Sequence, residues 1–127
     1  MALIMMVGPY RYAEEYLRPL LEKAGYTVVS IRTDNYAVES RKISPDVTVL
    51  TTLVYGSERG GFNPRALVRD AVRDRTALVV WSGMTMRIQD ELRPDSRIKL
   101  VPKPAMPLAV AAAVQELLET KLIDSDP

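Results

Sequence analysis

This sequence predicts a doubly wound α/β fold on a five-stranded parallel sheet, and two observations predict it. Five short apolar runs alternate with stretches of helical periodicity, the pattern of strands joined by crossover helices. Within the runs the apolar residues are consecutive and not spaced by two, as strands covered on both faces require.

The first run is Ala2 to Val7, closed by Gly8-Pro9. Arg11 to Ala24 follows as a helix, with Ala13, Leu17, Leu20, Leu21 and Ala24 on one face and Gly25 as its stop. Pro19 lies inside this helix and removes a backbone donor, so it is placed on the solvent side with a bend. Tyr26 to Ile31 is the second strand, Asn35 to Ile43 a short weak helix, and Asp46 to Leu53 the third strand. Asn63 and Pro64 open a helix as N-cap and first-turn residue, and Leu67, Val68, Ala71 and Val72 give it an apolar face. Thr76 to Ser82 is the fourth strand, Met86 to Leu92 a poorly defined helix, and Arg97 to Val101 the fifth strand. Pro107 to Leu122 is the last helix, and Ile123 to Pro127 a frayed tail. Residues 1–122 are thus expected to form one domain. Five strands and five helices at this length fit the flavodoxin-like strand order 2-1-3-4-5.

Composition narrows the chemistry. The chain has 127 residues, 47% hydrophobic and 26% charged, as expected of one globular domain. A net charge of +1 gives no field to steer nucleic acid or an anionic membrane. No cysteine means no disulfide and no thiolate, and no histidine removes the commonest general base and metal ligand. The apolar N-terminus is too short for a signal peptide or a membrane span, so a cytoplasmic protein is expected.

In such a fold the ligand site lies beyond the carboxyl ends of the strands. Those ends carry Gly8 and Pro9, Thr51, Ser82, and Lys103 between Pro102 and Pro104. A lysine amine at the mouth of the sheet faces no carboxylate there.

With these residues in this order, the chain resembles the receiver domain of two-component response regulators over nearly its whole length. Pro45-Asp46-Val47-Thr48-Val49-Leu50 is similar to the segment leading into the family's phosphorylated aspartate. Leu17, Leu21, Gly25 and Tyr26 match its first helix and the turn into the second strand. Ser82 falls on its hydroxyl residue and Lys103-Pro104 on its lysine-proline pair. The resemblance implies a Mg²⁺ site made by two acidic residues after the first strand and by the acceptor aspartate. It also implies a phosphoryl group neutralised by hydroxyl and lysine. Here the acidic pair is Gly8 and Pro9, the acceptor is Thr51, and Leu100 stands where the family has an aromatic switch residue. The expectation is therefore a receiver with a degenerate phosphorylation pocket (Gly8, Pro9, Thr51, Ser82, Lys103), no Mg²⁺, no cofactor and no catalytic residue. A threonine hydroxyl without a base is a poor nucleophile at neutral pH.

Other features have plain and functional readings side by side. Lys103-Pro104 fixes a turn, through a cis peptide in the family, or retains an anion site. Tyr55 to Gly61 is a tolerated surface insertion or a mobile loop that binds a partner or covers the pocket, and it lacks the Gly-Lys-Ser/Thr of a phosphate-binding loop. Tyr10, Tyr12 and Tyr16 are packing or a partner contact. Arg65, Arg69, Arg73 and Arg75 with Asp70 and Asp74 form a solvated helix face and not a nucleic-acid site. The last helix stands out. Val110, Val114 and Leu117, with Ala111 and Leu118, suffice to cover the sheet, yet Leu108, Ala109, Ala112 and Ala113 are apolar too. A helix apolar nearly all round is buried on both sides, unless the alanines serve only helix propensity.

The leading expectation is a phosphorylation-independent module acting through protein contact. Its partner is another protein or a second copy, held through Leu108, Ala109, Ala112 and Ala113, with the Met86 to Leu92 helix and the fifth strand flanking the contact. The alternative is a small anion or metabolite bound in the vacated pocket. No output domain is expected after Leu122, so the chain is a stand-alone adaptor or a piece of a larger regulator.

Overall fold

The computed structural model describes residues 2–8, 13–32, 36–51, 64–74, 76–82, 97–102 and 106–124. The strands are β1 (Leu3–Val7), β2 (Thr27–Ile31), β3 (Val47–Leu50), β4 (Leu78–Ser82) and β5 (Ile98–Pro102). They form one parallel sheet in the order β2-β1-β3-β4-β5, as the sequence predicts. The helices are α1 (Arg18–Lys23, continuing a π-helical turn over Ala13–Leu17), α2 (Tyr36–Glu39, with a 3-10 turn over Ser40–Lys42), α3 (Pro64–Asp74) and α4 (Pro107–Asp124). The helix expected over Met86 to Leu92, the Asn63 cap, the Tyr55 to Gly61 loop, Tyr10 and Tyr12 lie outside the described residues.

Side-chain alternation along the strands builds two apolar layers. Ile4, Met6, Val47, Val49, Val79, Trp81 and Val101 point to one face, where Leu17 and Leu21 meet Val110, Val114 and Leu117 of α4. Met5, Val7, Ile31, Leu50, Leu78, Val80 and Ile98 point to the other, beneath Leu67, Val68 and Ala71 of α3. Helices on both faces explain why the strands are apolar at consecutive positions.

Three local features depart from the sequence reading. Pro19 is exposed, as placed, but the irregularity comes as a π-helical turn just before it. Proline has no N–H to give the carbonyl of residue 15, and the ladder upstream widens to i→i+5 bonds. The third strand is shorter than expected at both ends. At its start, Asp46 accepts the Leu3 N–H on Oδ2 at 2.8 Å and donates its own N–H to the Leu3 carbonyl at 2.8 Å. It clips the start of β1 instead of extending β3. The last helix runs two residues further than expected, to Asp124.

The outer edge of β2 is guarded by a side chain. Thr27 donates its N–H to Ala2 and Gly8 donates to Ile31, so the odd-numbered residues of β2 face β1. The Val28 carbonyl therefore faces outward, and Arg18 Nη2 donates to it at 2.9 Å. Arg18 Nη1 also reaches Ser30 Oγ at 3.1 Å and Glu14 at 3.2 Å, Arg18 Nε lies 3.5 Å from Glu22, and Ser30 Oγ donates to Glu14. Charged groups on an edge strand keep another strand from pairing with it.

Candidate functional site

The strand ends converge as the fold requires. Val7 stands opposite Leu50, Leu50 opposite Val80, and Ser82 opposite Pro102. Gly8, Thr51 and Ser82 thus sit at one end of the sheet, and Lys103 follows the last residue of β5. Pro9, Lys103 and the Ser82 side chain lie outside what is described.

Thr51 follows β3 and is 0% exposed, the one buried polar residue among those described. Its backbone N–H donates to Val7 at 3.2 Å, and its hydroxyl donates to the carbonyls of Val7 at 3.1 Å and Gly8 at 2.9 Å. A hydroxyl has one hydrogen to give, so this bond is shared between the two oxygens. Gly8 makes the second contact possible. At φ 64° the chain turns its carbonyl back toward β3, a conformation costly for residues with a Cβ. Its N–H is already engaged with the Ile31 carbonyl at 2.9 Å.

The chemical consequence is specific. Thr51 ties the end of β3 to the end of β1 and directs its proton into backbone oxygen. It is closed to solvent, and the partners of its hydroxyl among the described residues are backbone carbonyls. It offers no donor to an anion, and the Gly8 N–H is used as well. Two of the residues expected to line a vacated anion pocket therefore have their donors committed to the protein's own backbone. Among the described residues no cluster of three or more acidic groups could hold a metal ion.

The expected interface residues divide. Ala113 is 8% exposed and packs in the sheet-facing layer with Val110, Val114 and Leu117. It is core and not surface, because it falls three residues after Val110 and four before Leu117, on the same side of the helix. Leu108, Ala109 and Ala112 are exposed, Leu108 to 68%. Leu108, Ala111, Ala112 and Gln115 line one side of a groove of about 220 Å³, with Leu20, Leu21, Ala24 and Tyr26 on the other. Ala109 lies seven residues before Glu116, whose carboxylate is 3.4 Å from Lys99 of β5, so it shares the β5 side. The flank of α4 toward α1 is thus apolar, whereas the flank toward β5 carries an ion pair. Met106, just before α4, is also 68% exposed.

Sequence reading missed the Asp46 clip and the Arg18 edge cap. The i, i+4 spacing of Glu14, Arg18 and Glu22 was the available signal for the second. Among the described residues no helix is long and apolar enough to cross a membrane.

No protein-family model matches the sequence, and no curated protein matches it. Solved structures do match. The signal receiver domain of a signal transduction histidine kinase from Syntrophus aciditrophicus is similar with TM-score 0.73 and 19% identity, over 94% of this chain and 92% of that one. A response regulator receiver protein from Sinorhizobium medicae gives TM-score 0.73 and 17% identity, over 93% and 94%. The anti-anti-sigma factor PhyR from Bartonella quintana gives TM-score 0.66 and 22% identity, over 98% of this chain and 50% of that one. Identities this low speak for backbone arrangement alone. With its strand order, its two apolar layers and these neighbours, the chain has the fold of response-regulator receiver domains.

Proposed function

We propose that this chain is a receiver-like signalling module that works in the cytoplasm through protein–protein contact and carries no phosphoryl group. The observation that supports it is Thr51. At the position where the resemblance places the acceptor aspartate stands a fully buried hydroxyl that donates to the carbonyls of Val7 and Gly8. Gly8 occupies one of the two positions of the family's acidic pair, so the charge that would hold Mg²⁺ is missing from both places.

The receiver fold then serves as a scaffold for surfaces. In this reading the exposed side of α4, with Leu108, Ala109 and Ala112, contacts the partner, most simply a second copy related by a two-fold axis. Small residues there let two helices approach closely, and Leu108 supplies the apolar anchor.

Two measurements test the two halves of the proposal. Incubation with acetyl phosphate and Mg²⁺ is expected to leave the intact mass unchanged. A gain of one phosphoryl group would refute phosphorylation independence. In sedimentation velocity at tens of micromolar the wild type is expected to self-associate and Leu108→Glu to be monomeric. A wild type that stays monomeric, or a variant that associates equally well, removes the self-association half.

A further inference from the structure

Among the described residues the two faces of the sheet carry different helices. On the α3 face, the described part of the segment between β2 and β3 offers four residues of α-helix and a three-residue 3-10 turn. Between that segment and α3 a cleft of about 320 Å³ opens at the amino ends of the strands, the end away from Thr51. Its floor is one rung of the sheet, Met5 opposite Thr48 and Thr48 opposite Leu78. Ile43 stands on one side, and Leu67 and Ala71 of α3 on the other.

The polar groups in this cleft are few and of one kind. Thr48 is half-buried on a central strand whose neighbours on the same face, Met5 and Leu78, are buried apolar residues. Thr76 and Asp70 stand at the rim. Among the described residues, neither threonine hydroxyl has a hydrogen-bond partner. Asp70 pairs with Arg73 through Oδ1 at 3.3 Å, which leaves Oδ2 outside that pair. Arg73 is not part of the lining, so among the described lining residues the charged group is the Asp70 carboxylate. Mostly apolar walls with a few placed polar groups are the usual make-up of a small-molecule site, and this volume lies at the small end of the range, roughly 300–1,000 Å³.

We propose that this cleft binds a small organic amine. An aromatic or alicyclic body would lie over Met5, Leu78 and Ala71, with the ammonium group at the rim against Asp70 and Thr76. The Asp70 carboxylate at the rim disfavours an anion of the same shape, and a neutral analogue would lose the ion pair.

Tryptamine is a suitable probe, with tryptophol as its uncharged match and indole-3-propionate as its anionic one. Each is titrated into the ¹⁵N-labelled chain and followed by amide chemical shifts. For tryptamine the expected result is saturable shifts at Met5, Thr48, Ala71 and Leu78, with a dissociation constant on the order of 1 mM or below. Tryptophol should bind about fivefold more weakly and indole-3-propionate more weakly still. Asp70→Asn, a change at an exposed position, should remove the preference of amine over alcohol. Thr76→Trp at the exposed rim should obstruct all three. Shifts that do not saturate overturn the proposal. So do shifts that map to the Leu20–Leu108 groove, equal binding of the anion, or a preference that survives Asp70→Asn. Failure here leaves the reading of Thr51 untouched, because the two sites lie at opposite ends of the sheet.

Discussion

Thr51→Asp is expected to destabilise the protein severely and still not to make it a phosphoacceptor. The substitution places a carboxylate in a fully buried position against two carbonyl oxygens, at 3.1 and 2.9 Å from the present hydroxyl. The donor that satisfied those oxygens disappears, and an acceptor with negative charge replaces it. Among the described residues no cation is placed to pair with it, and burying an unpaired charge costs at least about 3 kcal/mol, a large share of a domain stability of roughly 5–15 kcal/mol. Two companions separate charge from shape. Thr51→Ser keeps the donor and should melt close to wild type. Thr51→Val keeps the volume but leaves the Gly8 carbonyl without its hydroxyl donor and the Val7 carbonyl with the backbone N–H of residue 51 alone, at a cost of about 1–2 kcal/mol. Urea denaturation of the series gives the order Ser, Val, Asp from most to least stable. If Thr51→Asp is as stable as wild type, or gains a phosphoryl group from acetyl phosphate and Mg²⁺, then the strand-end clasp is not what this residue is for.

Val114→Asp is the second large effect, and its informative control sits on the same helix. Val114 is 0% exposed in the layer that also holds Leu17, Leu21 and Trp81. An aspartate there has no partner among those apolar neighbours, and the expected outcome is loss of cooperative folding, with a penalty above about 4 kcal/mol. Leu108→Glu, less than two turns away and 68% exposed, should leave the unfolding midpoint of the monomer within about 0.5 kcal/mol of wild type. Circular dichroism melts at low protein concentration read both. A destabilised Leu108→Glu monomer would mean that this leucine supports the fold through the groove beside α1, and would undercut its assignment to a partner surface.

How far residues alone predict this molecule depends on how many physical solutions a local pattern allows. Consecutive apolar runs such as Leu3–Val7 and Leu78–Trp81 leave one solution, a strand covered on both faces, and they appear where expected. α4 leaves several. With alanine at 109, 111, 112 and 113 its apolar residues cover nearly the whole circumference, so periodicity does not set its phase. Packing does, by turning Val110, Ala113, Val114 and Leu117 to the sheet together. That is why Ala113 falls in the core, although it reads as surface. At the site, resemblance shows which groups are missing, but not what Thr51 does instead. Its hydroxyl bonds join residues more than forty positions apart, and nothing in the local sequence encodes them. The Asp46 clip on Leu3 hides for the same reason. Lys103, the residue that first draws the eye in the sequence, lies outside the described residues.

The arginine that guards the β2 edge has a consequence for stoichiometry. A sheet that grows by edge-to-edge pairing is a polymer, and its monomer needs two reactive edges. In the order β2-β1-β3-β4-β5 the edges are β2 and β5, and Arg18, anchored by Glu14 and Glu22, occupies one outward carbonyl of the first, that of Val28. With that edge guarded, pairing in that reaction is favoured at the other one. Pairing through β5 would join two chains into a ten-stranded sheet, and both outer edges of the product would again be β2. A guarded edge of this kind favours assembly up to a pair over a fibre.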